Sequence, residues 1–67
     1  MKIKSILKLI NDFKLYFEIK DRKTGASYGF YTKSDLIYND KYNNYLIKGI
    51  NSQYFDNKRL LVIEIDY

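Results

Sequence analysis

The last eight residues, Leu60-Leu61-Val62-Ile63-Glu64-Ile65-Asp66-Tyr67, constrain the fold more than any other stretch. A run this short, apolar and β-branched, with no Gly or Pro, reads as a strand and not a helix. Leu61, Ile63 and Ile65 alternate with Val62, Glu64 and Asp66, so one face can be wholly buried. Leu60 and Val62 make the second face apolar too where the strand begins. A strand apolar on both faces belongs inside a sheet, or beneath something that covers its second face.

The rest of the chain supplies that sheet. Ile3, Ile6, Leu7 and Ile10 fall along one stripe of a helix over residues 2–12, with Phe13 following it into the core. Residues 14–20 alternate as a half-buried strand, with Leu15, Phe17 and Ile19 on one side and Tyr16, Glu18 and Lys20 on the other. Asp21-Arg22-Lys23-Thr24-Gly25 is a turn in which Gly25 suits a left-handed position. The returning strand, 26–32, places Tyr28 and Phe30 inward and Tyr31 outward, unless a bulge at Gly25 or Gly29 reverses the parity. Ser34 can cap a short helical turn over 34–38. A third strand is expected over 45–54, with Gly49 a candidate bulge, and Asp56-Asn57-Lys58 turns the chain into the last strand. The expected architecture is therefore α+β, one domain over residues 1–67. A single N-terminal helix packs on a four-stranded antiparallel sheet made of two hairpins, with a short helical turn between them. The C-terminal strand should be interior, and Leu15, Phe17, Ile19, Leu61, Ile63, Ile65, Ile6 and Ile10 should form the core.

Size matters next. A chain of 67 residues buries only about 60% of its unfolded surface, and such a core is marginal without a staple. There is no Cys for a disulfide and no Cys or His for structural zinc, which leaves association with a partner. An apolar content of 46% argues against disorder. No apolar run approaches a membrane span, and Lys4 and Lys8 interrupt the first residues, so neither a span nor a signal peptide is expected. The chain reads as soluble and cytoplasmic.

The same absences bear on chemistry. Without His or Cys, the commonest general base and the best nucleophile are missing, and the serines have no imidazole to activate them. Gly25, Gly29 and Gly49 are scattered and build no phosphate loop. Asp35, Asn39 and Asp40 lack calcium-loop spacing. No catalytic residue, metal or cofactor is expected, and the chain reads as a non-enzyme.

With its helix over 3–10, its charged Thr-Gly turn at 21–25, its linking turn at 34–38 and its Leu-Val-Ile-Glu-Ile run at 61–65, the chain resembles small accessory proteins of phages and prophages of low-GC Gram-positive bacteria. The resemblance spans most of the chain, and its motifs are structural. It implies a bacterial host cytoplasm as the setting. It also implies a role like that of inhibitors of host enzymes or defence systems, anti-CRISPR proteins among them, acting by stoichiometric occlusion.

Two binding surfaces follow from the residues. One helix can cover only one side of four strands, so the other side should present Tyr16, Tyr31, Leu60 and Val62, an apolar patch for a host protein or for a second copy. The eight tyrosines of the chain fit an interface, where an apolar ring with a polar tip binds at low entropic cost. The alternative is a nucleic-acid surface. Residues 1–24 carry the whole net charge of +4, and Lys4, Lys8, Lys14, Lys20, Arg22 and Lys23 lie around Tyr16 as a stacking platform.

Overall fold

A computed structural model describes residues 1–12 and 14–67. These form helix α1 (Ile3–Leu9), strands β1 (Tyr16–Asp21) and β2 (Ser27–Thr32), helix α2 (Lys33–Tyr38), and strands β3 (Gly49–Phe55) and β4 (Lys58–Ile65). The expectation for Phe13 lies outside the described residues. The fold is a small α+β domain with one four-stranded sheet, as the alternation of the strands required.

The sheet runs β2-β1-β4-β3, and it is mixed, not antiparallel. Each hairpin is antiparallel within itself, but β1 and β4 lie side by side and parallel, from Tyr16 opposite Leu60 to Asp21 opposite Ile65. Burial sets the strand order. β1 and β4 carry the buried apolar strand residues, Phe17 and Ile19 on one and Leu60, Val62, Ile63 and Ile65 on the other, so they take the two central places. The segment from α2 to residue 48 then carries the chain from one edge of the sheet to the other.

Two helices, not one, cover a face of the sheet. Ile3 and Leu7 of α1 and Leu36 of α2 pack with Leu15, Phe17, Ile19, Tyr42, Ile63 and Ile65 in one buried cluster. Ile6, Ile10 and Leu61, expected in the core, are half-buried at its margin. α1 stops at Leu9, short of the expected residue 12, with Ile10 already extended. No side chain caps its start; the Ile3 and Lys4 N–H groups donate instead to the carbonyls of Tyr45 and Asn43, at 3.1 and 3.0 Å. α2 is capped by Thr32 and not Ser34: the Thr32 hydroxyl accepts from the Asp35 N–H while the Asp35 carboxylate accepts from the Thr32 N–H.

Turn chemistry fixes the hairpins. Gly25 adopts φ 75° as the first turn requires. Asp56 and Asn57, both at positive φ, form a two-residue loop of the type I′ kind between Phe55 and Lys58. β3 begins at Gly49, later than expected, because residues 45–47 pair with the N-terminus: Ile47 N–H donates to the Met1 carbonyl at 2.8 Å, and Lys2 bridges Leu46. Gly49 itself stands in regular register with Glu64.

Candidate functional site

Alternation and register decide which side chains reach the helix-free face. Directly opposed residues share a face, so Tyr16, Glu18 and Lys20 of β1 stand with Leu60, Val62 and Glu64 of β4, and with Asn51, Gln53 and Phe55 of β3. β2 needs one correction to its expected parity. Glu18 opposes Phe30 while Lys20 opposes Ser27, so Tyr28 and Gly29 together face Ile19 in a bulge. Gly29 sits there at φ 119°, a backbone conformation other residues rarely adopt. The extra residue puts Tyr28 and Tyr31 both on the helix face and turns Phe30 outward.

The result is an aromatic groove. Tyr16, Phe30, Phe55, Leu60 and the stems of Lys58 and Arg59 enclose about 170 Å³. Leu60 and Val62 are buried, but neither belongs to the core cluster under the helices. They form the floor of the helix-free face, and Phe30 and Phe55 stand up from it, 59% and 68% exposed. The Lys58 ammonium lies 5.2 Å from the centre of the Tyr16 ring, a cation–π contact at the groove wall. Beyond it the groove opens into a hollow lined by Asp12, Lys14, Tyr16, Asn57, Lys58 and Arg59. One of its cations is partly answered: the Arg59 guanidinium donates to Asp12 Oδ2 at 3.4 Å.

Of the expected patch, the structure brings together Tyr16, Leu60 and Val62. Tyr31 is on the other side, half-buried, with its hydroxyl donating to the Tyr28 carbonyl at 2.7 Å. There it joins a cluster that sequence reasoning missed. Tyr42 is buried at its centre, with the rings of Tyr28, Tyr31, Tyr45 and Tyr67 between 5.9 and 6.3 Å away. Lys41 reaches over the rings of Tyr42 and Tyr67, whose phenol oxygens raise its pKa. Burial pushes the phenols of Tyr28 and Tyr31 up, and the hydrogen bond with Tyr42 adds to the effect at Tyr31. Most of the tyrosine excess is thus packing that closes the helix side of the sheet.

Sequence reasoning did not place Phe30 and Phe55 on this face. The signal for Phe30 was the bulge at Gly29. For Phe55 it was the Asp56-Asn57 loop, which sets the last residue of β3 opposite Lys58.

The basic residues do not form one surface. Lys4 and Lys8 line a groove between the helices with Leu7, Lys33, Ile37 and Asn43, on the helix side of the sheet. Lys14 borders the hollow beside Tyr16. Lys20 lies 3.9 Å from Glu18 on the sheet face. Arg22 grips Asp66 with two hydrogen bonds of 3.0 and 3.2 Å, which hold the Asp66 carboxyl below the usual carboxylate range. Lys23 is exposed on the first turn.

Among the described residues, no group of carboxylates is arranged to hold a metal ion, and no helix is long and apolar enough to cross a membrane. Comparison with known proteins leaves the geometry to speak alone: no family model matches the chain, and no curated protein or solved structure matches it.

Proposed function

We propose that this chain is a non-enzymatic protein-binding module that receives its partner on the helix-free face of the sheet. One observation carries the reading: Phe30 and Phe55, two large apolar rings, stand exposed beside Tyr16 and above buried Leu60. Exposed aromatic clusters of this kind mark interaction surfaces. Magnitude narrows the ligand. The groove of about 170 Å³ suits one anchoring side chain of a larger partner, and the adjoining hollow of about 520 Å³ leaves room for the residues beside it. Lys14, Lys58 and Arg59 on the adjoining hollow favour acidic residues beside that anchor. Occlusion of a host protein, the mode implied by the resemblance to phage accessory proteins, is compatible with such a surface.

A peptide-display selection against the purified protein tests this. The expected winners carry an apolar or aromatic anchor flanked by Asp or Glu, and they bind wild type but not Phe30→Ser/Phe55→Ser. Both positions are exposed, so circular dichroism should show an unchanged fold. Winners that bind the double variant equally well would place the binding surface elsewhere.

A second reading rests on the same rings. Tyr16, Phe30 and Phe55 near Lys14, Lys58 and Arg59 could stack the bases of a single strand. Glu18 and Glu64 on the same face oppose it, and the basic residues are dispersed. Fluorescence anisotropy with a single-stranded oligonucleotide at two salt concentrations decides: phosphate contacts predict affinity falling steeply with salt. Absence of binding at low salt removes the reading.

A further inference from the structure

β3 is an edge strand without the usual protection. Natural edges are blunted by charged residues, Pro, bulges or short length. The other edge, β2, carries the Tyr28–Gly29 bulge. β3 instead runs from Gly49 to Phe55 in unbroken register with β4 and contains no charged residue and no Pro. Every residue after Gly49 is exposed. Among the described residues, its outer side is occupied only before the strand begins, where Ile47 meets Met1.

The direction of the free backbone groups follows from the hairpin. A two-residue loop makes its flanking pair, Phe55 and Lys58, a hydrogen-bonded pair, so Phe55, Gln53, Asn51 and Gly49 bond inward to β4. The N–H and C=O groups of Ile50, Ser52 and Tyr54 therefore point out to the open edge.

We infer that this edge pairs with β3 of a second copy, antiparallel, about a two-fold axis at Ser52. The strand is self-complementary in that register and no neighbouring one. Ile50 meets the Tyr54 of the other copy, an apolar β-branched residue against an aromatic one, and both are exposed in the single chain. Asn51 meets Gln53, amide against amide. Just outside the strand, Lys48 at one end and Asp56 at the other bring opposite charges near each end of the pairing. Centring on Gln53 would set Ile50 against Asp56. Centring on Asn51 would run the partner's turn toward the Met1–Ile47 pair. At Ser52, the outward groups of Ile50, Ser52 and Tyr54 all find partners, and a small core gains the association it lacks in disulfides or metal. The two helix-free faces would then lie on the same side of one continuous sheet.

Sedimentation velocity over a range of concentration tests the inference. Wild type should self-associate reversibly to a dimer below about millimolar concentration. Ser52→Lys sets two like charges face to face on the axis, and Ser52→Asp does the same with opposite sign. Each variant should be a folded monomer by circular dichroism, and an equimolar mixture of the two should recover the dimer. Wild type that stays monomeric at millimolar concentration overturns the inference. So does a dimer that persists in both variants, or a mixture that stays monomeric after each variant alone has lost the dimer. Ser52 stands opposite Leu61, on the helix side of the sheet, so the Ser52 variants leave the groove residues in place and peptide binding there is measured separately.

Discussion

Ile63→Ala is the substitution that loads the fold most directly. Ile63 is fully buried on β4, the strand held on both sides, opposite Ile19 of β1 and Ile50 of β3. Truncation removes three carbons, worth about 2.4 kcal/mol at ~0.8 kcal/mol per buried methylene. The cavity left between two strands and two helices adds to this, which places the loss within the ~2–5 kcal/mol seen for such truncations, nearer ~3–4. A chain of 67 residues has a total stability of roughly 3–10 kcal/mol at ~0.05–0.15 kcal/mol per residue. One substitution therefore takes a third of it or more. Urea unfolding followed by circular dichroism should show the midpoint falling at similar slope, and thermal melting should start roughly 10–25 °C lower. Ile37→Ala is the control, since Ile37 is exposed on α2 and should change stability by less than about 0.5 kcal/mol. A loss below ~1 kcal/mol for Ile63→Ala, or equal losses for both, would refute the placement of the core between β4 and the helices.

Three smaller perturbations test the local arguments. Gly29→Ala should cost ~1–3 kcal/mol in urea unfolding, because φ there is 119° and the added Cβ would lie 3.2 Å from the Tyr31 hydroxyl oxygen; a neutral result would remove the bulge. Thr32→Ala should cost about 1 kcal/mol by losing the cap of α2, while Ser34→Ala should be near neutral; equal effects would contradict the capping box. Asp66 has a lowered pKa in the folded chain, through its hydrogen bonds from Arg22, so its stabilising contribution is present above the unfolded value of ~3.9 and is lost as the pH falls through the folded value. Asp66→Asn should therefore flatten the fall in stability below about pH 4, and an unchanged acid limb would show the ion pair to be without weight.

Much of this fold was legible in local pattern. The alternation of Leu15, Phe17 and Ile19, the Gly25 turn and the doubly apolar start of β4 each depend on neighbours in sequence, and each stands in the structure. The parallel pairing of β1 with β4 was not read: two strands that both want the centre must meet, but their relative direction is set by the long connection from β2 to β3, which leaves no local pattern. The face each β2 residue takes turned on one residue. A single extra position at Gly29 reverses every side chain after it, which exchanged Tyr31 for Phe30 on the open face. Tyrosine content suggested an interface, but Tyr28, Tyr31, Tyr42, Tyr45 and Tyr67 find one another across the loop and both ends of the sheet. Contacts that distant in sequence leave no local periodicity.

Nuclear magnetic resonance of the labelled protein, titrated with an anchor-bearing acidic peptide from the display selection, tests the central claim most directly. The account predicts that the largest shifts fall on Tyr16, Phe30, Phe55 and Leu60, with smaller ones at Lys14, Lys58 and Arg59, while Tyr42 and the residues of α1 stay in place. Shifts concentrated on Tyr28, Tyr42 and Tyr67, or along Lys4 and Lys8 between the helices, would contradict it.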